Sequence, residues 1–211
     1  MKRARILAVA IHELGVKEHP AGSNSGPRVD EYLRDSGIPL GLPAASKSWC
    51  AAFAEWVMQQ AGATKHELRH ATPDCTSWLG YPHVRAAQVL PGDAVVYQWD
   101  TGDVDHIGIF EKWVSRPNSF DAIEGNTSPT NQSNGGEVMR RLRTVDLVAA
   151  FVRVIDPVPA TVLTKNFSPN MFMRLMAFLG KPARKPAGAT QVRILSTVWA
   201  RFMAAIRHKG A

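Results

Sequence analysis

The hydrophobic pattern of this chain changes its period once, at the turn predicted for Pro91-Gly92. Before this turn the apolar residues recur at helical spacing, whereas after it they form short segments rich in β-branched and aromatic residues. Clusters of Gly, Asn, Pro, Ser and Asp separate these segments and are too short to hold a crossover helix. Helices followed by closely connected strands predict an α+β fold, with N-terminal helices packed on a mostly antiparallel sheet of about five strands.

The same patterns predict where each element lies. Helices are expected at 3–15, 27–36 and 50–61, and Thr72-Pro73-Asp74 is a further helix start. Strands are expected at 94–99, 107–114, 120–124, 138–142 and 150–155.

The C-terminal part of the chain differs from the rest in charge. Residues 158–211 hold nine of the 25 lysines and arginines and none of the 18 acidic residues. Pro157-Val158-Pro159 therefore predicts a boundary between a main domain, residues 1–157, and a basic helical extension, residues 158–211. An apolar stripe in this extension either packs on the main domain or, with the basic residues, binds anionic polymers or a membrane surface. Nucleic-acid binding is disfavoured, because no basic–aromatic interleaving accompanies the charge.

The N-terminus imitates the start of a signal peptide without completing one. Three basic residues within positions 2–5 precede an apolar run at 6–11, which is shorter than the roughly 7–15 residues of a signal sequence. No small-residue cleavage site follows this run. We therefore expect an ordinary first helix and a protein made in the cytoplasm without a signal peptide.

Cys50 falls in the first turn of the third predicted helix, with Ser48 as its predicted N-cap. The positive end of the helix dipole favours an anion there, so the Cys50 thiol is predicted to form the reactive thiolate readily. The alternative is a small buried cysteine without chemistry. Cys75 is a rival nucleophile at another helix start, but the neighbouring Asp74 raises a thiol pKa rather than lowering it. A disulfide between the two cysteines must be absent if either is a nucleophile.

A thiol nucleophile needs a base and a third group that orients the base. His106 is the best candidate base, because it opens a strand directly after the polar segment 100–105. The next strand ends in Glu124 and Asn126, alternate residues that are predicted to face the same side of the sheet. Either residue can accept a hydrogen bond from the imidazole, and the sequence leaves this choice open. The alternatives are a surface histidine and a solvated glutamate.

Four segments, taken in order, resemble the CHAP domain, the cysteine, histidine-dependent amidohydrolase/peptidase domain related to the NlpC-type cell-wall peptidases. They are Trp49-Cys50-Ala-Ala-Phe53-Ala-Glu-Trp56, Pro91-Gly92-Asp93-Ala-Val-Val, His106-Ile-Gly-Ile and Glu124-Gly-Asn126. The segments at 15–20 and 22–26 also resemble the leading part of such domains in bacteriophage endolysins and tail-associated lysins. The resemblance extends over residues 5–156.

This resemblance implies a papain-like fold with Cys50 as the nucleophile, His106 as the general base and acid, and Glu124 as the residue that orients the imidazole. Asn126 is implied as a supporting polar residue, and we assign Trp49, next to the nucleophile, to substrate binding. The implied reaction is cleavage of an amide bond of bacterial peptidoglycan through a thioester acyl-enzyme. The enzyme is then an endopeptidase or an N-acetylmuramoyl-L-alanine amidase.

No cofactor is expected. Some CHAP domains bind calcium through an acidic N-terminal loop, but residues 18–30 lack the closely spaced Asp and Asn residues of such a loop. Asp100, Asp103 and Asp105 lack the Gly and Glu positions of a calcium-binding loop, so we expect no metal.

The resulting hypothesis is a monomeric phage or prophage endolysin, a bacteriolytic and antimicrobial hydrolase. It is made in the host cytoplasm, acts on the bacterial cell wall after release, and binds no nucleic acid. Its basic extension is then expected to attract anionic cell-wall polymers or the membrane surface. The alternatives are a non-catalytic or tail-associated cell-wall-binding protein on the same fold and a basic nucleic-acid-binding protein.

Overall fold

The computed structural model describes residues 2–100, 102–130 and 134–155. The predicted extension, residues 158–211, lies outside these ranges, so its boundary and its helices stay predictions. Within the described ranges, three α-helices and one six-stranded antiparallel sheet confirm the predicted α+β class. No helix in this part of the chain is long and apolar enough to cross a membrane.

The elements follow the predicted order. The helices are α1 (Lys2–His12), α2 (Val29–Asp35) and α3 (Cys50–Gln60). Short 3-10 turns lie at Ala44–Ser46, Cys75–Gly80, Ala86–Gln88 and Val145–Leu147. The strands are β1 (His83–Val84), β2 (Ala94–Tyr97), β3 (His106–Ser115), β4 (Ser119–Thr127), β5 (Glu137–Thr144) and β6 (Val148–Val152).

The sheet has one strand more than the sequence predicted. Its order is β1-β6-β2-β3-β4-β5, and every neighbouring pair is antiparallel. The additional strand, β1, consists of two residues paired with Phe151 and Val152. Two residues are too few to produce a period-2 pattern, which is why the sequence did not reveal this strand.

Helix α3 packs directly against the sheet. Most of its residues are buried, because four of its positions are alanine or cysteine, small enough to lie flat against β3 and β4. The helix and the sheet approach closely at Gly125 of β4, where a Cβ atom would lie 2.7 Å from Cβ and Cγ of Phe53. Only glycine permits this approach, so Gly125 sets how deeply α3 is seated on the sheet.

The other face of the sheet carries a second apolar cluster. Tyr97, Phe110, Phe120 and Phe151 are buried at its centre, and the phenylalanine rings pack edge-on or tilted at centroid distances of 5.5–6.0 Å. Because both faces of the central strands are covered, β2 is buried along its whole length. The strands at the site are therefore held rigidly from both sides.

Asp93, which follows the Pro91-Gly92 turn, ties distant parts of the chain together. Its buried carboxylate accepts hydrogen bonds from Arg3 of α1 at 2.8 Å and from Arg153 after β6 at 2.8 and 3.0 Å. It also accepts one from the backbone N–H of Leu90 at 2.8 Å. The aspartate of this segment thus stabilises the fold, since a buried carboxylate needs such partners.

Candidate active site

Cys50 is the first residue of α3, as predicted, and it is 3% exposed. The predicted N-cap is wrong: Trp49 occupies that position, and no side chain caps the helix. The Ser48 hydroxyl instead accepts a hydrogen bond from Asn126 at 3.2 Å. The uncapped N–H groups of the first turn therefore remain for an anion at this end of α3, and the backbone N–H of Ala51 helps to lower the pKa of the Cys50 thiol.

His106 opens β3 and is completely buried. Its ring lies near the rings of Tyr97 and Trp99, with centroids 5.9 and 6.0 Å away. Its Nε2 atom lies 3.2 Å from Oε2 of Glu124, an ion-pair distance in a direction that is not aligned for a hydrogen bond. Because Nε2 faces Glu124, Nδ1 is the ring nitrogen that remains for a different partner.

Interactions among Cys50, His106 and their neighbours shift the pKa values of both groups. Burial alone would lower the pKa of His106, but interactions with Cys50 and Glu124 outweigh it and raise this pKa to about 9. A hydrogen bond from Cys75, together with His106, holds the pKa of Cys50 well below its ordinary value despite burial. At neutral pH this combination favours a thiolate beside an imidazolium.

Glu124 is buried in β4, close to β3. Its side chain passes over Gly108 of β3, where a Cβ atom would lie 2.6 Å from Cγ of Glu124. The glycine of the His106-Ile-Gly-Ile segment is therefore needed so that the carboxylate can approach His106. This is the physical reason for a glycine two residues after the histidine.

Arg143 of β5 is not among the site residues predicted from the sequence. It is buried beside Glu124, donating from Nε to Oε1 at 2.8 Å and from Nη2 to Oε2 at 2.5 Å. Burial alone would raise the pKa of Glu124, but the bonds from Arg143 and the contact with His106 outweigh it and hold this pKa below its ordinary value. No sequence motif marks Arg143; the only signal is an arginine at a position of β5 that pairs in register with the buried Phe120.

Asn126 does not share the position of Glu124. It adopts a left-handed backbone conformation with φ of 57°, which interrupts the alternation of β4. Its amide donates to Ser48 at 3.2 Å and to Asn134 at 3.1 Å, and its Oδ1 accepts from the N–H of Gly136 at 3.2 Å. Asn126 therefore links the end of β4 to the residue before Trp49 and Cys50, while Glu124 is the residue that contacts His106.

Trp49 is not placed to bind substrate. Its side chain is completely buried and packs against Tyr32, with ring centroids 5.8 Å apart. Its indole N–H donates to Glu18 at 2.9 Å. The assignment of Trp49 to substrate binding is corrected on this ground, because a side chain without exposed surface belongs to the core.

Cys75 lies next to Cys50, which the sequence did not predict. The two Sγ atoms are 3.6 Å apart, and both thiols are free. The bond to Cys50, followed by burial, raises the pKa of Cys75 well above its ordinary value. Cys75 is therefore the protonated partner of the pair, and Cys50 is the thiolate.

Two of the aspartates before β3 accept hydrogen bonds from the backbone of the turn. Asp105 accepts a hydrogen bond from the N–H of Trp99, and Asp100 accepts one from the N–H of Gly102. Across the described residues, no group of three or more His, Cys, Asp or Glu side chains is arranged to hold a metal ion.

Residues 43–126 match the family model of the CHAP domain, which confirms the predicted resemblance. The matched region includes Cys50, His106, Glu124 and Asn126, and it ends before Arg143. No curated protein matches the chain. A CHAP domain implies cysteine- and histidine-dependent amidase or peptidase activity of the peptidoglycan-hydrolase type, with peptidoglycan as the substrate.

Proposed function

Because the chain contains a CHAP domain, we propose that it cleaves an amide bond of the cell-wall peptide with Cys50 as nucleophile, His106 as acid and base, and Glu124 as the orienting group. The observation that carries this proposal is the fully buried His106, which interacts with the Cys50 thiol and lies 3.2 Å from the Glu124 carboxylate. This geometry supports the proposal, because covalent amide hydrolysis by a thiol needs a nucleophile, a base and a group that orients the base.

The reaction begins with the thiolate of Cys50. It attacks the carbonyl carbon of the scissile amide, and His106 then gives its proton to the leaving amine, so that a thioester acyl-enzyme forms. In the second half His106 takes a proton from water, which attacks the thioester and releases the new carboxylate. Glu124 stabilises the imidazolium that is present before amine release and again during hydrolysis.

The tetrahedral intermediates carry a negative charge on the former carbonyl oxygen. The start of α3 supplies backbone N–H groups that no side chain caps, and they lie beside the Cys50 thiol. Such groups stabilise an oxyanion without reorganising during the reaction. The absence of a capping side chain, which is a cost for an ordinary helix, is useful at a helix start that must bind a transient anion.

We further propose that the protein is a phage or prophage endolysin that acts on the wall as a monomer. The nine lysines and arginines of residues 158–211, without an acidic residue among them, support attraction to anionic cell-wall polymers or the membrane surface. A non-catalytic cell-wall-binding protein on the same fold is the competing proposal. It predicts wall binding without release of soluble fragments.

Zymography on purified cell walls tests the catalytic proposal. Cys50→Ala removes the nucleophile and is expected to abolish clearing, whereas Cys75→Ser keeps a donor beside Cys50 and is expected to retain it. Cys75→Ser is the matched control, because it changes the neighbouring sulfur without removing the nucleophile. Equal loss from both substitutions would overturn the assignment of Cys50. Wall binding without clearing by the wild-type protein would favour the competing proposal.

A further inference from the structure

We propose that Arg143 is a positioning residue for the catalytic groups: two hydrogen bonds from Arg143 to Glu124 hold that side chain ionised and turned toward His106. This inference rests on the proposed function. Arg143 Nε binds Oε1 of Glu124, and Arg143 Nη2 binds Oε2, the same oxygen that lies 3.2 Å from His106 Nε2. With both oxygens fixed, the carboxylate has one orientation, in which Oε2 faces the imidazole.

Burial makes this pairing necessary. The side chains of Arg143 and Glu124 are 2% and 0% exposed. An ionised carboxylate without a partner is unstable in such surroundings and takes up a proton. A protonated Glu124 has no charge with which to stabilise an imidazolium. Arg143 therefore acts on His106 through Glu124, although it does not itself contact the reacting atoms.

The guanidinium is held in place by two aromatic rings. Its Cζ atom lies 4.8 Å from the ring centroid of Trp99 and 5.4 Å from that of Tyr97. The same two rings flank His106. One aromatic shell thus packs against the base and against the cation that fixes its partner, so that rotation of either group is restricted.

A second arginine on the same strand provides a matched control. Arg140 of β5 also forms a two-bond pair with a glutamate, Glu111, at 2.6 and 3.0 Å. The Arg140 side chain is 42% exposed, and the structure describes no contact between Glu111 and His106. Removal of Arg140 therefore takes one positive charge and one Arg–Glu pair from strand β5, as removal of Arg143 does. The proposed catalytic groups keep their partners.

The test measures the rate at which iodoacetamide alkylates Cys50 as a function of pH, in a Cys75→Ser background where Cys50 is the only thiol. Because this rate reports the thiolate, it does not depend on the substrate. Arg143→Gln is expected to slow alkylation at neutral pH about tenfold or more, in line with what acid–base groups contribute. Arg140→Gln is expected to leave the profile unchanged. In wall clearing, Arg143→Gln is expected to lower kcat while KM stays near its wild-type value.

Arg143→Lys separates charge from geometry. Lysine keeps the cation but replaces the planar fork with a single point, so an intermediate alkylation rate is expected. A purely structural role predicts a lower melting temperature with an unchanged alkylation profile, and that result for Arg143→Gln overturns the proposal. If Arg143→Gln does not fold, a wild-type profile in Arg143→Lys overturns the two-bond claim, and a slowed one supports it. A shifted alkylation profile in a protein that clears no walls sustains the positioning role but contradicts the proposed function.

A separate observation, the 3.6 Å distance between the sulfur atoms of Cys50 and Cys75, carries a second inference. We infer that Cys75 is a resolving thiol, which forms a reversible disulfide with Cys50 when the protein meets hydrogen peroxide. A sulfur–sulfur bond is about 2.05 Å long, so the two atoms must approach by roughly 1.5 Å. Cys75 is the first residue of a short 3-10 turn outside the sheet. A rotation of the side chains and a small backbone shift must supply this movement. The disulfide would remove the Cys50 nucleophile, so the oxidised protein is expected to be inactive. Only this loss of activity rests on the proposed function.

Hydrogen peroxide is the oxidant that accepts the two electrons of disulfide formation. The Cys50 thiolate attacks one peroxide oxygen, the O–O bond breaks, and hydroxide leaves with the electron pair, so that a sulfenic acid forms on Cys50. The Cys75 sulfur then attacks the Cys50 sulfur. An S–S bond forms, the S–O bond breaks, and the thiol proton leaves with the hydroxyl as water. The Cys50 thiolate and the Cys75 thiol are oxidised, and the peroxide is reduced to one water and one hydroxide, which becomes a second water when it takes up a proton from the solvent.

Intact-protein mass spectrometry after treatment with peroxide tests this inference. The wild type is expected to lose the mass of two hydrogen atoms, to give a Cys50–Cys75 cross-linked peptide, and to recover with dithiothreitol. Cys75→Ser is expected to gain oxygen atoms on Cys50 and to become irreversibly inactivated, because no resolving thiol is present. Equal gain of oxygen by both proteins, without the cross-link, overturns the inference. A cross-link in a protein without clearing activity contradicts the proposed function alone.

Discussion

Gly108→Ala tests whether close packing of β3 against Glu124 sets the catalytic geometry. The new Cβ atom would lie 2.6 Å from Cγ of Glu124 and 3.3 Å from the carbonyl oxygen of Ile123. Non-bonded carbon atoms pack at about 3.5–4.0 Å, so the glutamate side chain must move by about 1 Å. Such a shift takes Oε2 from 3.2 Å to roughly 4 Å from His106 Nε2, beyond the range of a strong interaction.

The expected result is a loss of wall-clearing rate of about 100-fold, the size associated with a misplacement near 1 Å in a catalytic group. The assay is the initial rate of turbidity loss of purified cell walls, with the melting temperature measured in parallel. Gly41→Ala is the matched control, because a Cβ atom there meets nothing within 4 Å and the backbone needs no left-handed conformation. A folded Gly108→Ala protein with wild-type clearing refutes the reasoning.

Three further perturbations have defined outcomes. Wall clearing is expected to persist through neutral pH and to fall as the pH rises through about 9, because the buried His106 then loses the proton that the leaving amine needs. A kcat/KM profile that already falls near pH 6.5, the ordinary pKa of histidine, contradicts this. Gly125→Ala places a Cβ atom 2.7 Å from Phe53, so it is expected to destabilise the fold by about 1–3 kcal/mol in urea unfolding, and an unchanged midpoint contradicts the close seating of α3. Asn126→Ala loses the side-chain bonds and strains a left-handed backbone, whereas Asn126→Gly loses only the bonds. We expect Asn126→Ala to be less stable than Asn126→Gly by about 1 kcal/mol in urea unfolding. Equal stabilities of the two variants contradict backbone strain at this position.

Much of the fold follows from local patterns. The change of pattern at Pro91-Gly92 separates the helices from the strands, and five of the strands lie where short segments rich in β-branched and aromatic residues predict them. The start of α3 at Cys50 was predicted correctly from its apolar spacing, but Ser48 as N-cap was wrong. A serine near a helix start suggests a cap, yet here the hydroxyl is engaged by Asn126 from a distant strand. Tertiary contacts decided this detail, and they are not visible in local sequence.

Only some residues of the candidate site were predicted, because the others depend on tertiary contacts that local sequence does not show. His106 and Glu124 were identified because each lies at a distinctive place in a strand and in a recognisable segment. Arg143 and Cys75 were not, because their importance comes only from which strand pairs with β4 and from what covers the start of α3. Trp49 was assigned to the substrate because it is next to Cys50. Adjacent residues at a helix start point in different directions, and Trp49 points into the core.

The measurement that tests the central proposal most directly is mass spectrometry of the fragments released from purified peptidoglycan. Cleavage of an amide bond by Cys50 predicts fragments that each carry a new free amine or a new free carboxylate, with one water added for each bond cut. It also predicts a covalent substrate adduct on Cys50 after rapid acid quenching. The Cys50→Ala protein is expected to release nothing. Fragments with new reducing sugar ends, or the same amide products from Cys50→Ala, would contradict the proposal.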